Sequence, residues 1–362
     1  MMEEWKEYKL GEITNMKNGK KRPHNNGVFP VYGGNGIMDY SDTYNAENAI
    51  IVGRVGAYCG CVYKCDGKCW VSDNAISVSA KEIVDTHFLY YLMTSLDFHH
   101  HHIGGAQPLM TQDIIGDFTV SIPPMPVQHQ IVQILKSLDD KIEVNRRIND
   151  NLEQQAQALF KSWFVDFEPF RDQPFVESEL GMIPEGWRVG KLGELCQFKR
   201  GKGLLSKNAI PGDVPVVAGG LGPSCYHNVS NTKAPVITIS GSGANAGFMR
   251  MYHQEVWASD CSFIDVTCEN WLFVYCFLAI NSHLLKHAQT GAVQPHVKPA
   301  DIHDFDLVIP PHETIQKFQN TISSFIRKKG IIEQESRRLA ELRDTLLPRL
   351  MSGEIKVGDV TL

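Results

Sequence analysis

Two stretches of the chain carry residues at alternating steps of four and three, the heptad spacing of helices that pack as a coiled coil. The first seam comprises Ile131, Leu135, Leu138, Ile142, Asn145, Asn149, Leu152, Ala156, Leu159 and Trp163. The second seam, in the later half of the chain, comprises Phe318, Ile322, Phe325, Lys329, Ile332, Ser336, Leu339, Arg343, Leu346 and Leu350. We expect two long helices that pair with each other in antiparallel orientation. The alternative is two ordinary amphipathic helices, each docked on its own domain.

Before each seam, the pattern changes to short β-type runs separated by glycine turns. Residues 49–52 and 235–239 are apolar or β-branched runs that predict buried strands. A glycine turn follows each run, at residues 53–60 and 240–247, and another β-type run follows each turn. Helices are expected at residues 86–96 and, in the matching place, near 271–285. Each globular part is therefore predicted to be a mixed α+β domain.

The chain also repeats its short motifs in order. Trp5 with Lys9-Leu10-Gly11-Glu12 returns as Trp187 with Lys191-Leu192-Gly193-Glu194. Three further motifs return at one constant, slightly larger offset. They are Trp70-Val71-Ser72-Asp73 as Trp257-Ala258-Ser259-Asp260, Asp117-Phe118 as Asp304-Phe305, and Ile122-Pro123-Pro124 as Ile309-Pro310-Pro311. This period is far longer than the roughly 20–50 residues of solenoid repeats. The repetition predicts two copies of one domain, which suggests a protein that grips two halves of one ligand.

We therefore predict an α+β fold: two α/β domains separated by two long antiparallel helices that form a coiled coil, with a pseudo-twofold internal repeat. Ile-Pro-Pro closes each globular part, because proline cannot continue a central strand. The predicted boundaries are 1–124 for the first domain, 125–168 for the first helix, 169–186 for a linker, 187–311 for the second domain and 312–356 for the second helix.

Composition places the chain among globular proteins, with 43% hydrophobic and 21% charged residues. The start of the chain is acidic, and no apolar run approaches the roughly 20 residues that a membrane helix needs. We therefore expect a cytoplasmic protein with no membrane contact. The nine cysteines are expected to be free thiols in a reducing compartment.

The net charge of -6 argues weakly against nucleic acid, but the distribution of charge carries more information than the sum. Each repeat has a basic loop after its first predicted strand. The first loop holds Lys17, Lys20, Lys21 and Arg22, and the second holds Lys199, Arg200, Lys202 and Lys207. A solvated lysine loop is the plain interpretation of one such cluster, and its occurrence in both copies favours a shared function.

Two clusters have metal-binding residue types, and neither has convincing spacing. Cys59, Cys61, Cys65 and Cys69 lack the paired Cys-x2-Cys of most zinc sites, and the second repeat has no cysteines in their place. The run His99-His100-His101-His102 is better explained as a solvated loop. We expect no metal and leave zinc at the four cysteines as an open alternative.

Motifs for catalysis by this chain were not found. There is no Asn-Pro-Pro-Tyr or Asn-Pro-Pro-Phe of an amino-methyltransferase and no phosphate-binding P-loop. The glycines of residues 241–247 have the wrong spacing for a dinucleotide loop, and β-type sequence follows them where a helix should begin. We expect a non-catalytic chain that carries no cofactor of its own.

Three segments make the chain similar to the specificity subunit of a Type I restriction–modification system, and the likeness covers essentially the whole sequence. They are residues 160–170 (FKSWFVDFEPF), 178–187 (SELGMIPEGW) and 346–355 (LLPRLMSGEI). The resemblance implies two target recognition domains, each reading half of a split double-stranded DNA target, on helices that dock two methyltransferase (modification) subunits. It also implies adenine methylation with S-adenosylmethionine on those subunits, and cleavage by motor–nuclease (restriction) subunits that use ATP and Mg.

Candidate DNA contacts follow from residue type, because base readout needs long donors and phosphate contact needs cations. In the first domain we predict phosphate contacts from Lys20, Lys21 and Arg22, with Arg54, Tyr58 and Gln107 nearer the bases. In the second we predict phosphate contacts from Lys199, Arg200 and Lys202, with Asn245, Arg250, Gln294 and His296 nearer the bases. Surface solvation or a structural turn is the alternative for each.

The first seam spans residues 131–163, so a helix there is about 50 Å long, on the order of 15 base pairs of DNA. Its length would then set the gap between two half-sites. Two other classes of protein stay open: a scaffold with two protein- or glycan-binding domains on a coiled coil, and a methyltransferase or nuclease in its own right.

Overall fold

The computed structural model describes residues 5–23, 25–105, 107–289 and 295–360. They form two compact units, one made of residues up to 144 together with those from 335 onward, and one made of residues 145–334. Each unit therefore consists of one α+β domain and about half of each of two long helices. The predicted α+β class is confirmed.

The described residues of the first unit form eight strands and the first three helices. These are β1 Lys6–Lys9, α1 Leu10–Ile13, β2 Thr14–Asn18, β3 Phe29–Gly33, β4 Gly36–Ser41, β5 Ala46–Gly53, β6 Val62–Val71, β7 Ala75–Ala80, α2 Thr86–Ser95, α3 Gln112–Gly116 and β8 Thr119–Ile122. The long helix α4, Met125–Phe164, follows. Six strands form one sheet in the order β2-β7-β5-β6-β3-β4, and β1 pairs with β8. The β3–β6 pairing is parallel and the others are antiparallel.

After a two-stranded hairpin, the second unit repeats this order with one additional short helix. Its elements are β9 Phe175–Ser178, β10 Gly181–Pro184, β11 Arg188–Lys191, α5 Leu192–Leu195, β12 Lys199–Arg200, β13 Val214–Val217, β14 Cys225–His227, β15 Val236–Ser240, β16 Met249–Tyr252, β17 Trp257–Ala258, β18 Cys261–Asp265, α6 Trp271–Ile280, α7 Ser282–His287, α8 Pro299–His303 and β19 Asp306–Ile309. The long helix α9, His312–Met351, ends the series. The sheets run β12-β18-β15-β16 and β14-β13-β17, and β11 pairs with β19. The sheet order of the first unit therefore recurs, with the long β6 replaced by β16 and β17.

The repeated Lys-Leu-Gly-Glu motif builds the same one-turn helix in each unit. The backbone N–H of Lys9 donates to the Glu12 carboxylate at 2.8 Å, and that of Lys191 donates to Glu194 at 2.7 Å. Each glutamate thus satisfies a donor that the helix start would leave unpaired.

The two long helices run antiparallel in both units. In the first, Asp139 of α4 pairs with Arg343 of α9 at 2.7 Å, and Lys141 pairs with Glu335 at 3.5 Å. In the second, Glu153 pairs with Lys329 at 2.7 Å. None of the twenty predicted seam positions is exposed, so the heptad prediction is confirmed.

Each domain core continues into its helix halves. Ile131 and Leu135 of α4 and Leu350 of α9 belong to the same buried cluster as Ile50 of β5. In the second unit, Phe160 and Phe318 join the cluster of Ile237. Burial of each such side chain contributes about 1.5–3 kcal/mol, so the helix halves and their domains stabilise each other.

The expectation of nine free thiols is wrong for one pair. Cys196, after α5, and Cys268, before α6, form a disulfide with their Cα atoms 6.1 Å apart. These cysteines are distant in sequence, so only the packing of α5 beside the start of α6 brings their sulfur atoms together. The other seven cysteines are free thiols.

Candidate nucleic-acid interface

The basic loop of the first domain is tied to the Trp70-Val71-Ser72-Asp73 motif. After β2, the N–H of Gly19 donates to the carbonyl of Ala75, and that of Lys20 donates to the carbonyl of Val71, both at 3.0 Å. The indole Nε1 of Trp70 donates back to the carbonyl of Lys20 at 3.3 Å. The motif thus fixes the backbone of the loop and leaves its lysine side chains to solvent.

The second domain uses the same device at the matching residues. The N–H of Gly201 donates to the carbonyl of Cys261 at 2.8 Å, and that of Lys202 donates to Ala258 at 2.9 Å. The indole of Trp257 donates to the carbonyl of Lys202 at 2.8 Å. The repeated tryptophan therefore has one structural role in both domains, which is to hold the basic loop.

Glycine is required where these loops approach the motif. A Cβ at Gly19 would overlap the carbonyl oxygen of Ser72, and a Cβ at Gly201 would overlap that of Ser259. Neither overlap could be relieved by a side-chain rotation, because the obstructing atoms belong to the backbone.

The predicted phosphate ligands divide into two groups. Lys20, Lys21, Lys199 and Lys202 are exposed and form no salt bridge within the described parts of the chain, although the charge of Lys199 acts on the carboxylate of Asp265. Arg22 pairs with Asp39, and Arg200 pairs with Asp260. The pKa of Asp39 is held below its usual range by the N–H of Tyr40 and by Arg22. The four lysines are thus available to an anion, whereas the two arginines already have a carboxylate.

The glycine turn of each domain brings a second loop to the same edge. The N–H of Gly56 donates to the carbonyl of Pro108 at 3.0 Å, and that of Gly243 donates to Pro295 at 3.1 Å. The turns also approach the motif: the N–H of Arg54 donates at 2.9 Å to the carbonyl of Asn74, the residue that follows the motif, and the N–H of Gly241 donates at 3.0 Å to the carbonyl of Asp260. In each domain the basic loop and the glycine turn therefore lie beside the Trp-x-Ser-Asp motif, and the second loop is hydrogen-bonded to the glycine turn.

In the first domain, these contacts bring the three predicted base contacts onto adjoining loops. Arg54 is half-buried and reaches the carbonyl of Asp73 at 3.4 Å. Tyr58 is 51% exposed, at the end of a single turn of 3₁₀ helix, and Gln107 is exposed on the facing loop.

The second domain treats its predicted base contacts differently. The amide of Asn245 donates to the carbonyl of Gly219 at 3.3 Å, and Arg250 donates to that of Leu221 at 3.0 Å. Both side chains thus support the loop between β13 and β14. His296 is half-buried and forms a β-bridge with Ser242. Gln294 lies outside the described residues.

Sequence reasoning missed Asp260, Ser242 and the 218–224 loop. Asp260 stood in the repeated motif, which was visible, but its partner Arg200 is distant in sequence and nothing in the spacing indicates the pair. The 218–224 loop has three glycines and no cationic residue. It takes part through its backbone carbonyls, which the residue types in the sequence do not indicate.

The cysteine and histidine clusters do not assemble a metal site within the described residues. Cys65 and Cys69 are buried in β6, Cys59 is buried after the 3₁₀ turn, and burial raises the pKa of the Cys59 thiol. His99 makes a 3.0 Å hydrogen bond with the carbonyl of Cys59, and His100 pairs with Asp97 at 2.5 Å.

A second polar feature joins each domain to the helices. The hydroxyl of Tyr275 donates to Glu153 at 2.7 Å, and Lys329 pairs with the other oxygen of the same carboxylate. The pKa of Glu153 is lowered: burial opposes this shift, and Lys329, Tyr275 and Gln157 outweigh it. In the first unit, Tyr91 donates to Asp139 at 2.6 Å, and Arg343 pairs with that carboxylate.

Comparison with known proteins agrees with this architecture. A family model for the Type I restriction modification DNA specificity domain matches residues 2–154 and 184–342. The chain is 26% identical over 317 residues to the Type I restriction enzyme MjaIX specificity subunit of Methanocaldococcus jannaschii, covering 78% of this chain and 72% of that protein. It is also 26% identical over 334 residues to the HindI specificity subunit of Haemophilus influenzae, covering 69% and 72%.

The crystal structure of a Type I restriction–modification S subunit from M. genitalium has the same fold, with a TM-score of 0.58 over 96% of both chains at 19% identity. Two α+β domains with basic loops, each built on halves of two antiparallel helices, define a duplicated recognition protein. The chain belongs to the Type I restriction modification DNA specificity family, and it is a specificity subunit with two target recognition domains. No helix in the described part of the chain is both long and apolar enough to cross a bilayer.

Proposed function

We propose that this chain reads a bipartite double-stranded DNA target, with one half-site for each recognition domain, and directs methylation of adenines in that target. The observation that carries the proposal is the duplicated interface, in which Trp70 and Trp257 each hold a loop of exposed lysines beside a glycine turn. Cationic side chains on a fixed backbone are suited to phosphate contact.

The length of the helices supports a bipartite target with an unread gap. Both α4 and α9 have 40 residues, which corresponds to about 60 Å each. A helix pair of that length could separate two half-sites by more than one turn of DNA. The gap in the target would then depend on helix length and not on the loops.

The chemistry would belong to partner subunits. We propose that two methyltransferase subunits bind the chain and supply S-adenosylmethionine, and that motor–nuclease subunits supply ATP- and Mg-dependent cleavage. In this assembly the chain is a non-catalytic cytoplasmic subunit that contributes DNA specificity.

The test is duplex binding by the chain assembled with its methyltransferase subunit, using the double variant Lys20→Glu and Lys202→Glu. Each lost phosphate contact should lower the slope of log K against log salt by about 0.9, and affinity should fall for all sequences. The control is Lys6→Glu with Lys356→Glu, which changes the same charge at exposed lysines away from these loops. Equal salt slopes for the test and control variants would count against the proposal, and binding to a protein or glycan in place of DNA would refute it.

A further inference from the structure

The side chain of Arg200 is held in a defined position beside the candidate interface of the second domain. Arg200 of β12 donates from Nη2 to Oδ1 of Asp260, and the hydroxyl of Ser242 donates to Oδ2 of the same carboxylate. Both oxygens of Asp260 are thereby engaged. Three elements that are distant in sequence hold one guanidinium.

The backbone beside this pair is shaped to admit the guanidinium. A Cβ at Gly241 would overlap Nη1 of Arg200, so a side chain there would displace the guanidinium from its present position. The N–H of Gly241 also donates to the carbonyl of Asp260 at 3.0 Å, which fixes the turn against the carboxylate. Gly241 therefore leaves room for the guanidinium beside the carboxylate of Asp260, which holds it by charge.

Arg200 still has donors to offer. Its side chain is 44% exposed, and the bond to Asp260 uses one of the five guanidinium N–H groups. An arginine with two free donors in one plane matches O6 and N7 of guanine, the most common specific contact in the major groove.

The carboxylate makes a base a better target than a phosphate. A phosphate beside Arg200 would also lie near the negative charge of Asp260, and the repulsion would offset much of the attraction. The guanine edge is neutral and presents only acceptors, so it can accept from the arginine without that penalty. The exposed neighbours Lys199 and Lys202 have no ion-pair partner among the described residues and are better suited to phosphate.

The first domain does not repeat this site. When the repeated motifs are aligned, Asn18 stands in the place of Arg200, Arg54 in that of Gly241, and Val55 in that of Ser242. Arg54 reaches only a backbone carbonyl, that of Asp73, at 3.4 Å. The arginine site is therefore particular to the second domain.

We infer that Arg200 is a base-reading residue of the second domain and recognises a guanine in the second half-site, with Asp260 and Ser242 as positioning residues. This revises the assignment of Arg200 to phosphate contact, and it rests on the proposed function.

The experiment uses the full chain assembled with its methyltransferase subunit. The duplexes carry the bipartite sequence whose adenines are methylated in the genome that encodes this chain. In turn, each guanine of the second half-site is replaced by 7-deazaguanine, which lacks N7, or by another base. Wild-type complex should lose about tenfold in affinity at one guanine, and Arg200→Ala should lose that discrimination while its preferences in the first half-site stay the same. Asp260→Asn, which keeps the arginine, should lose part of the same discrimination.

Lys202→Ala is the matched control, and it should weaken binding to every duplex by a similar factor. If Arg200→Ala weakens all duplexes equally and lowers the salt slope by about 0.9, Arg200 is a phosphate ligand and the inference is overturned. Unchanged discrimination in both Arg200→Ala and Asp260→Asn would overturn it as well. A wild-type complex without preference for any duplex would instead refute the proposed function, so the two failures are distinguishable.

Discussion

The indole Nε1 of Trp257 donates to the backbone carbonyl of Lys202 at 2.8 Å, and Trp70 makes the same bond to Lys20 at 3.3 Å. Each tryptophan begins the repeated Trp-x-Ser-Asp motif, and each lysine lies in a loop that the motif holds. The motif therefore serves to orient a cationic loop in each domain.

Trp257→Phe should weaken DNA binding without unfolding the second domain. The substitution keeps an aromatic ring and removes one hydrogen bond, worth about 0.5–1.5 kcal/mol, so affinity should fall between about two- and tenfold as the loop loses its fixed backbone. Fluorescence anisotropy with the assembled complex measures the affinity, and thermal melting checks the fold. Wild-type affinity in a variant that melts normally would show that the bond does not orient the loop.

Gly201→Ala should destabilise the second domain, because its new Cβ would overlap the carbonyl oxygen of Ser259. A backbone shift to relieve such crowding costs about 1–3 kcal/mol. The control is Gly203→Ala, whose Cβ would meet no atom within 4 Å. Denaturant unfolding should separate the two variants, and equal stability would contradict the role assigned to Gly201.

Tyr275→Phe removes the hydroxyl that donates to Glu153 at 2.7 Å. A hydrogen bond to a charged group contributes about 1.5–3 kcal/mol, so the melting temperature should fall by several degrees. Tyr226→Phe is the control, since Tyr226 is 55% exposed. If the two variants have the same melting temperature, the hydroxyl of Tyr275 does not stabilise the packing of its domain on the helices.

His253 should make the second unit sensitive to mild acid. Burial, and then the charge of Lys329, lowers the pKa of His253 to about 4 from its ordinary 6.5, and Glu153 acts in the opposite direction. Between pH 6.5 and 4 the unfolded chain binds the proton and the folded chain does not, so stability falls as the pH decreases, by at most about 3 kcal/mol. His253→Gln should reduce this slope in unfolding curves taken across that range, and a slope identical to wild type would contradict the prediction.

Removing one heptad from α4 and one from α9 should shorten the gap in the target. Seven residues correspond to about 10 Å of helix, or roughly three base pairs. Both half-site sequences should persist because the recognition domains are untouched. Methylation at the original gap by the shortened protein would rule out helix length as the determinant.

Local sequence patterns predicted the helices and strands well. They could not predict which side chains pair across long distances in the sequence. The seam from Ile131 and the helix observed at Thr86–Ser95 follow from spacing that a sequence displays directly. The pairing of Arg200 with Asp260 does not, because the sheet brings together positions that are far apart along the chain. The same limit applies to the bond from Arg250 to the carbonyl of Leu221, and the base contact predicted for Arg250 stays a prediction.

Recognition of a bipartite target is tested by mapping methylated adenines in the genome that encodes this chain, before and after deletion of its gene. We expect two short motifs separated by a fixed gap of unread bases, present with the gene and absent without it. A substitution at Arg200 should then alter only one of the two motifs. An uninterrupted methylated motif, or a bipartite motif that survives the deletion, would contradict the account.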